Sequence, residues 1–162
     1  MNNISVGLRL GTMLLDHILI CFIGLPPVII YQFQTFHNSS NLTMSPYLMM
    51  PLFVIYFCKD CIGGRSLAKR ILKLVVVDNT TNLPATPFQT LIRNLFCLIW
   101  PIEVFVSLFN QQRRIGDRLA GTKLSYYRRE DMPHQINWLQ LAVTILIAIV
   151  FTYLLLKLFY PL

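Results

Sequence analysis

Residues 8–31 read LRLGTMLLDHILICFIGLPPVIIY. At ~1.5 Å per residue such a run crosses a hydrocarbon core of ~30 Å, so it predicts a membrane helix. The run carries Arg9, Asp16 and His17 and ends in Pro26-Pro27 without a small-residue cleavage site, which argues against a removable signal peptide. The two prolines remove backbone donors, so the outer third is expected to kink or end early. Asp16 is the most informative residue of the run. It lies ~12 Å along a helix that begins near Leu8. A carboxylate at that depth must face protein or water and have a partner. Arg9, seven residues earlier, shares its helical face but lies two turns away. Either another group bridges them or each has its own partner.

The rest of the chain agrees with this start. Of 162 residues, 55% are hydrophobic and 13% charged, against ~25% charged in an ordinary soluble domain. The net charge of +7 comes from basic residues that flank apolar runs. It therefore points to anionic lipid headgroups rather than to nucleic acid. Three further apolar segments follow: residues 44–58, residues 88–109 with Pro101 and Glu103 inside, and Trp138–Tyr160 as an uninterrupted span with aromatic ends. The loop 32–43 has no Lys or Arg. Its Asn38-Ser39-Ser40 and Asn41-Leu42-Thr43 fit the glycosylation pattern, which matters only in a eukaryotic secretory compartment.

Between these segments lie two basic stretches. Lys59, Arg65, Lys69, Arg70 and Lys73 form the first; Arg113, Arg114, Arg118, Lys123, Arg128 and Arg129 form the second. If residues 88–109 crossed the bilayer, the two stretches would face opposite sides, against the positive-inside rule. A dip that turns back at Pro101 keeps both on the cytoplasmic side, so a re-entrant hairpin is expected. Val75–Asp78 and Thr122–Tyr127 both read as short strands, and they can pair only from one side. Residues 66–74 are amphipathic, with Leu67, Ile71 and Leu74 on one face, which suits a short cytoplasmic interfacial helix. The expected fold is an all-α polytopic membrane protein with three spanning helices, the hairpin, the interfacial helix and a two-strand pairing. Residues 1–129 make the membrane module and 130–162 an additional C-terminal helix.

Candidate chemistry is sparse. Arg9, Asp16, Asp117 and Arg118 are expected to form a buried charge network, either a structural clasp or a device that binds or moves an ion. His17 and Glu103 are candidates for an ion pathway. Arg65, Lys69, Arg70, Lys73, Arg113 and Arg114 are candidate headgroup contacts. Cys58-x-x-Cys61 lacks the second pair or the histidines that zinc needs, and it lacks a βαβ context for redox work. No metal and no cofactor are expected. Neither H-E-x-x-H nor G-x-S-x-G occurs. Residues 63–69, GGRSLAK, only superficially resemble a phosphate loop, so no enzyme is expected.

Arg9, Asp16 and the run Asp117-Arg118-Leu119-Ala120-Gly121-Thr122 resemble the RDD family of membrane proteins, named for one arginine and two aspartates. Those three map to Arg9, Asp16 and Asp117. Residues 64–78, GRSLAKRILKLVVVD, resemble the family's central segment, and the resemblance runs over roughly residues 8–124. Ala68 and Lys73 stand where the family has glycines, and Val75 stands where an arginine is common. The resemblance implies a membrane architecture, a suspected transport role, and accessory subunits among the members. Size and the lack of an internal repeat favour an accessory or scaffolding protein with a membrane partner. The alternative is a small oligomeric transporter that couples cations to protons through the buried Arg/Asp network. The expected location is the bacterial cytoplasmic membrane.

Overall fold

The structure, a computed structural model, describes residues 4–38, 46–99, 105, 114–127 and 136–159. The first helix, α1 (Val6–Asn38), has 33 residues and is ~50 Å long. It continues through Pro26 and Pro27, so the expected early end does not occur. Apolar surroundings tolerate prolines where neighbouring groups and local backbone adjustment meet the freed carbonyls. Its covered face consists of Arg9, Thr12, Met13 and Asp16, one stripe at helical spacing, and it stops there. From His17 to Gln34 no residue is buried. That stretch is ~27 Å long, close to the thickness of a hydrocarbon core. Asp16 therefore marks the near edge of the uncovered apolar run rather than a point deep within it.

Among the described residues two helices are long and apolar enough to cross a membrane: α1 and α6 (Trp138–Phe159). Their most apolar windows are only 11% and 28% buried, unlike the core helix of a soluble protein. The third expected span is not among them. Residues 46–49 form a 3₁₀ turn and α2 (Met50–Cys58) has nine residues, ~13 Å of helix. Pro51 begins α2 afresh in its first turn, which shortens the segment.

Residues 59–64 turn the chain through Gly63 and Gly64, with φ of 65° and 67°. A Cβ at Gly64 would collide with the carbonyl oxygen of Val76, whose N–H donates to Gly64 O at 2.9 Å. A Cβ at Gly63 meets open space. Gly64→Ala is therefore expected to destabilise by more than the ~1–3 kcal/mol that a left-handed backbone costs a non-glycine residue. Gly63→Ala should cost only that strain. Thermal unfolding of the two variants in detergent checks the order, and equal losses would show that the close approach to Val76 does not matter.

Ser66 caps α3 (Leu67–Ile71) by accepting from Lys69 N. The β-branched run then forms β1 (Leu74–Asp78), antiparallel to β2 (Thr122–Tyr126), with Val76 opposite Leu124. This pairing matches the expectation. The pairing brings the two ends of the intervening chain, residues 79–121, together. The first part of that intervening chain is α4 (Pro87–Leu95), opened by a capping box of Thr86 and Gln89. The turn expected at Pro101, and Glu103, lie outside the described residues. A five-residue helix, α5 (Ile115–Leu119), leads into β2.

Two apolar clusters hold these parts together. Ile4 from the start of the described chain joins Leu74, Val76, Ala85 and Leu124, which seats the base of α1 on the strand pair. Phe57, Leu91 and Ala148 bring α2, α4 and α6 together. The buried stripe of α6 is Leu141, Thr144, Ala148, Thr152 and Leu156. Small residues at its centre allow close helix approach, and both threonine hydroxyls return to their own helix, donating at 2.7 Å to Gln140 O and Ala148 O.

Candidate functional site

The base of α1, the turn after α2, and helices α3, α4 and α5 converge on a set of buried charges. Asp16 comes from α1. Its Oδ2 accepts from Ser66 Oγ at 2.8 Å and from Lys69 Nζ at 3.1 Å, and its Oδ1 accepts from Ala68 N at 3.3 Å. α3 is too short to be stable alone. Its cap serine, its first-turn amide and Lys69 therefore all hold one carboxylate, and that carboxylate in turn fixes the helix. Lys69 Nζ also donates to Asp60 Oδ1 at 2.8 Å and to Ser66 Oγ at 3.2 Å. Lys59 Nζ lies 4.0 Å from Asp16 Oδ2 and 4.2 Å above the Tyr56 ring.

A second carboxylate, Asp117 of α5, faces the same interior. Arg93 Nε of α4 lies 2.9 Å from Asp117 Oδ1, and Arg114 Nε lies 3.6 Å from Oδ2. Thr122 Oγ1 donates to Oδ1 at 3.2 Å. The Arg93 contact is an ion pair without hydrogen-bond alignment, and Arg93 Nη1 and Nη2, although buried, have no hydrogen-bond partner among the described residues. Asp60 Oδ2 is in the same condition.

The fields of these groups join the two halves. Burial raises the Asp60 carboxyl, but the cations of Lys69, Arg93 and Lys59 outweigh it and hold Asp60 well below the usual carboxylate range. Burial likewise raises Asp117, and Arg93, Arg114 and Arg9 outweigh it, so Asp117 is lowered too. Burial lowers Lys59, the sign expected of a desolvated ammonium. Arg93 thus acts on both Asp60 and Asp117. The network runs Asp16, Lys69, Asp60, Arg93, Asp117, Arg114, with Arg9 alongside. Removing one member of such a buried set costs ~3–5 kcal/mol, because a charge is left without its counterpart.

The expected site residues divide accordingly. Arg9, Asp16 and Asp117 are buried, but the groups that link Asp16 to Asp117 are Lys69, Asp60 and Arg93. Arg118 is exposed. It follows Asp117 directly on a one-turn helix whose inward side is Gly116 and Asp117, so the next ~100° step carries Arg118 outward. His17 is also exposed. Its ring meets Tyr56 edge-on at 6.0 Å, and its Nε2 lies 3.7 Å from Cys21 Sγ, away from the carboxylates. Lys69 and Arg114, expected at headgroups, are buried and ion-paired instead, because each lies on the inward side of a short helix entry. Arg70 and Lys73 are exposed and Arg65 is half-buried. Arg113 and Glu103 lie outside the described residues.

Four residues of the network were not anticipated: Lys59, Asp60, Ser66 and Arg93. Arg93 offered a signal, since an arginine inside the apolar run 88–109 calls for a partner as much as Asp16 does. Ser66 offered another, standing as a cap three residues before Lys69. Cys58 and Cys61 are free thiols, and Cys61 Sγ accepts from Thr90 Oγ1 at 3.4 Å. Among the described residues no group of three His, Cys, Asp or Glu side chains is placed to hold a metal ion.

The arrangement can lock α1 to the cap that surrounds its base, or hold a cation among the oxygens that now surround Lys69. The profile of the RDD family matches residues 4–121, which includes every member of the network and leaves α6 beyond its end. No curated protein and no solved structure matches the chain. With more than half of its length matched, the chain belongs to the RDD family.

Proposed function

We propose that this small membrane protein is an accessory or scaffolding subunit of the bacterial cytoplasmic membrane, not an enzyme, and that it acts through a membrane partner. The observation that carries this reading is the bareness of α1. Its most apolar window is 11% buried within the chain, and Phe22, Ile23, Ile29, Ile30 and Phe33 are all exposed. A helix that packs so little on its own chain is available to another. In this reading the charge network is a clasp that sets the angle of α1 for its partner. The saturation of Asp16 supports it, since both oxygens are engaged by α3. Copurification from mild detergent is the test. A larger membrane protein in fixed ratio supports the accessory role, and a homo-oligomer alone defeats it.

One observation favours a second reading, a small oligomeric transporter of cations and protons. The Lys69 ammonium has Asp60 Oδ1, Asp16 Oδ2 and Ser66 Oγ at 2.8, 3.1 and 3.2 Å, a shell that would also suit a monovalent cation. Asp16→Asn separates the readings. Asparagine keeps one acceptor oxygen, for Ser66 Oγ or Ala68 N, and offers Lys69 and Lys59 no charge. As a clasp, Asp16 should lose stability on this change, visible as a melting temperature lower by several degrees. An unchanged melting temperature with loss of cation-driven proton movement in proteoliposomes would favour transport.

A further inference from the structure

The exposed side of α3 carries a second feature that the charge network does not use. Ser66, Ala68 and Lys69 touch Asp16, and Asp16 is where the covered face of α1 ends. α3 therefore lies level with the start of the uncovered apolar run. Its inward side is Ala68 and Lys69. Its outward side presents Leu67 at 57% and Ile71 at 65% exposure, with Arg70 beside them. Ile62, in the preceding turn, is 48% exposed. Apolar side chains interleaved with bases at this level match the layer where acyl chains meet headgroups.

The flanks of α3 add a built contact. The Arg65 guanidinium lies over the Tyr127 ring, 3.7 Å from its centroid. Tyr127 is held there because its N–H donates to Lys73 O at 2.8 Å, which also brings Lys73 to the same edge. Arg65 has a buried Nε without a hydrogen-bond partner, and no carboxylate is ion-paired with Arg65, Arg70 or Lys73 among the described residues. The stack holds the guanidinium plane fixed, which suits bidentate binding of a phosphate.

We propose that α3 and its flanks form an anionic-phospholipid site: Arg65, Arg70 and Lys73 bind the headgroup phosphate while Leu67 and Ile71 enter the acyl boundary. The occupant is a lipid rather than a soluble phosphate because the apolar residues are continuous with the bases and level with the end of the span. Each basic residue near an anionic surface contributes about a fivefold gain in affinity.

The test uses the full chain in nanodiscs of phosphatidylcholine, and in nanodiscs of an equal mixture of phosphatidylcholine and phosphatidylglycerol. The melting temperature is expected to be higher in the mixture. The triple variant Arg65→Gln/Arg70→Gln/Lys73→Gln should keep the wild-type value in phosphatidylcholine and lose the rise. Arg118→Gln/Lys157→Gln, which removes exposed charge elsewhere, should retain most of the rise. The proposal is overturned if the wild type shows no rise, or if the triple variant keeps it. It is also overturned if the control loses as much, or if glycerol phosphate added to phosphatidylcholine discs reproduces the rise.

Discussion

Replacing Lys69 by methionine is expected to lower the melting temperature in detergent by about 10 °C, from a loss of ~3–5 kcal/mol. Methionine keeps the length and apolar stem of the side chain, so the change isolates the ammonium. That ammonium is the shared counter-charge of Asp16 and Asp60, both nearly inaccessible to water. Without it Asp60 keeps only the more distant fields of Arg93 and Lys59. The partner experiment is Asp60→Asn combined with Lys69→Met. Because the double variant no longer buries an uncompensated carboxylate at residue 60, it should lose clearly less than the sum of the single losses. Strict additivity would mean that Lys69 and Asp60 stabilise the protein independently, and the network described above would then be two separate contacts.

The parts of this architecture that could be read from the chain are those set by local pattern. The run 8–31 announced a long apolar helix, and Val75-Val76-Val77 announced a strand whose partner lay in the only other β-prone stretch. Where two local signals conflicted, the reading failed. The helical period of residues 66–74 placed Leu67 and Ile71 on one side, as found, but it put Leu74 with them, whereas the helix ends at Ile71 and Leu74 is buried in β1. It also assigned Lys69 to the headgroups by residue type alone. The position of Lys69 follows from Asp16, fifty-three residues earlier, and no local rule carries that information. The same holds for α5. Asp117 and Arg118 formed an attractive pair in sequence, yet the inward side of this short helix is Gly116 and Asp117, which leaves Arg118 facing outward. Arg93 was legible in principle and was hidden by the apolar residues around it. Asp16 was legible as a residue in need of partners, but its depth was misjudged. The helix is far longer than a bilayer is thick, and its surplus length lies on the side of the cap.

Arg93→Met is expected to be about as damaging at neutral pH as Lys69→Met, and its effect should fade in acid. The guanidinium is 2% exposed and its field acts on two carboxylates, Asp60 and Asp117. Both carboxyls are held below their ordinary value in the folded protein. Each therefore contributes stability that is complete above the unfolded value of ~3.9 and is lost as pH falls from there towards the folded value. Removing Arg93 raises both folded values, so the variant has less of this stability to lose. Above about pH 5 the wild type should melt well above the variant, by a margin comparable to that for Lys69→Met. Below about pH 4 these carboxyls take up protons in the unfolded wild type but not in the folded one, so the stability that Arg93 supplies falls, and the two melting curves should draw together. Melting temperatures of both proteins across pH 3–8 in one detergent measure the gap directly. A gap that stayed constant into acid would assign the loss to packing of the arginine stem and would remove Arg93 from the electrostatic centre of the site.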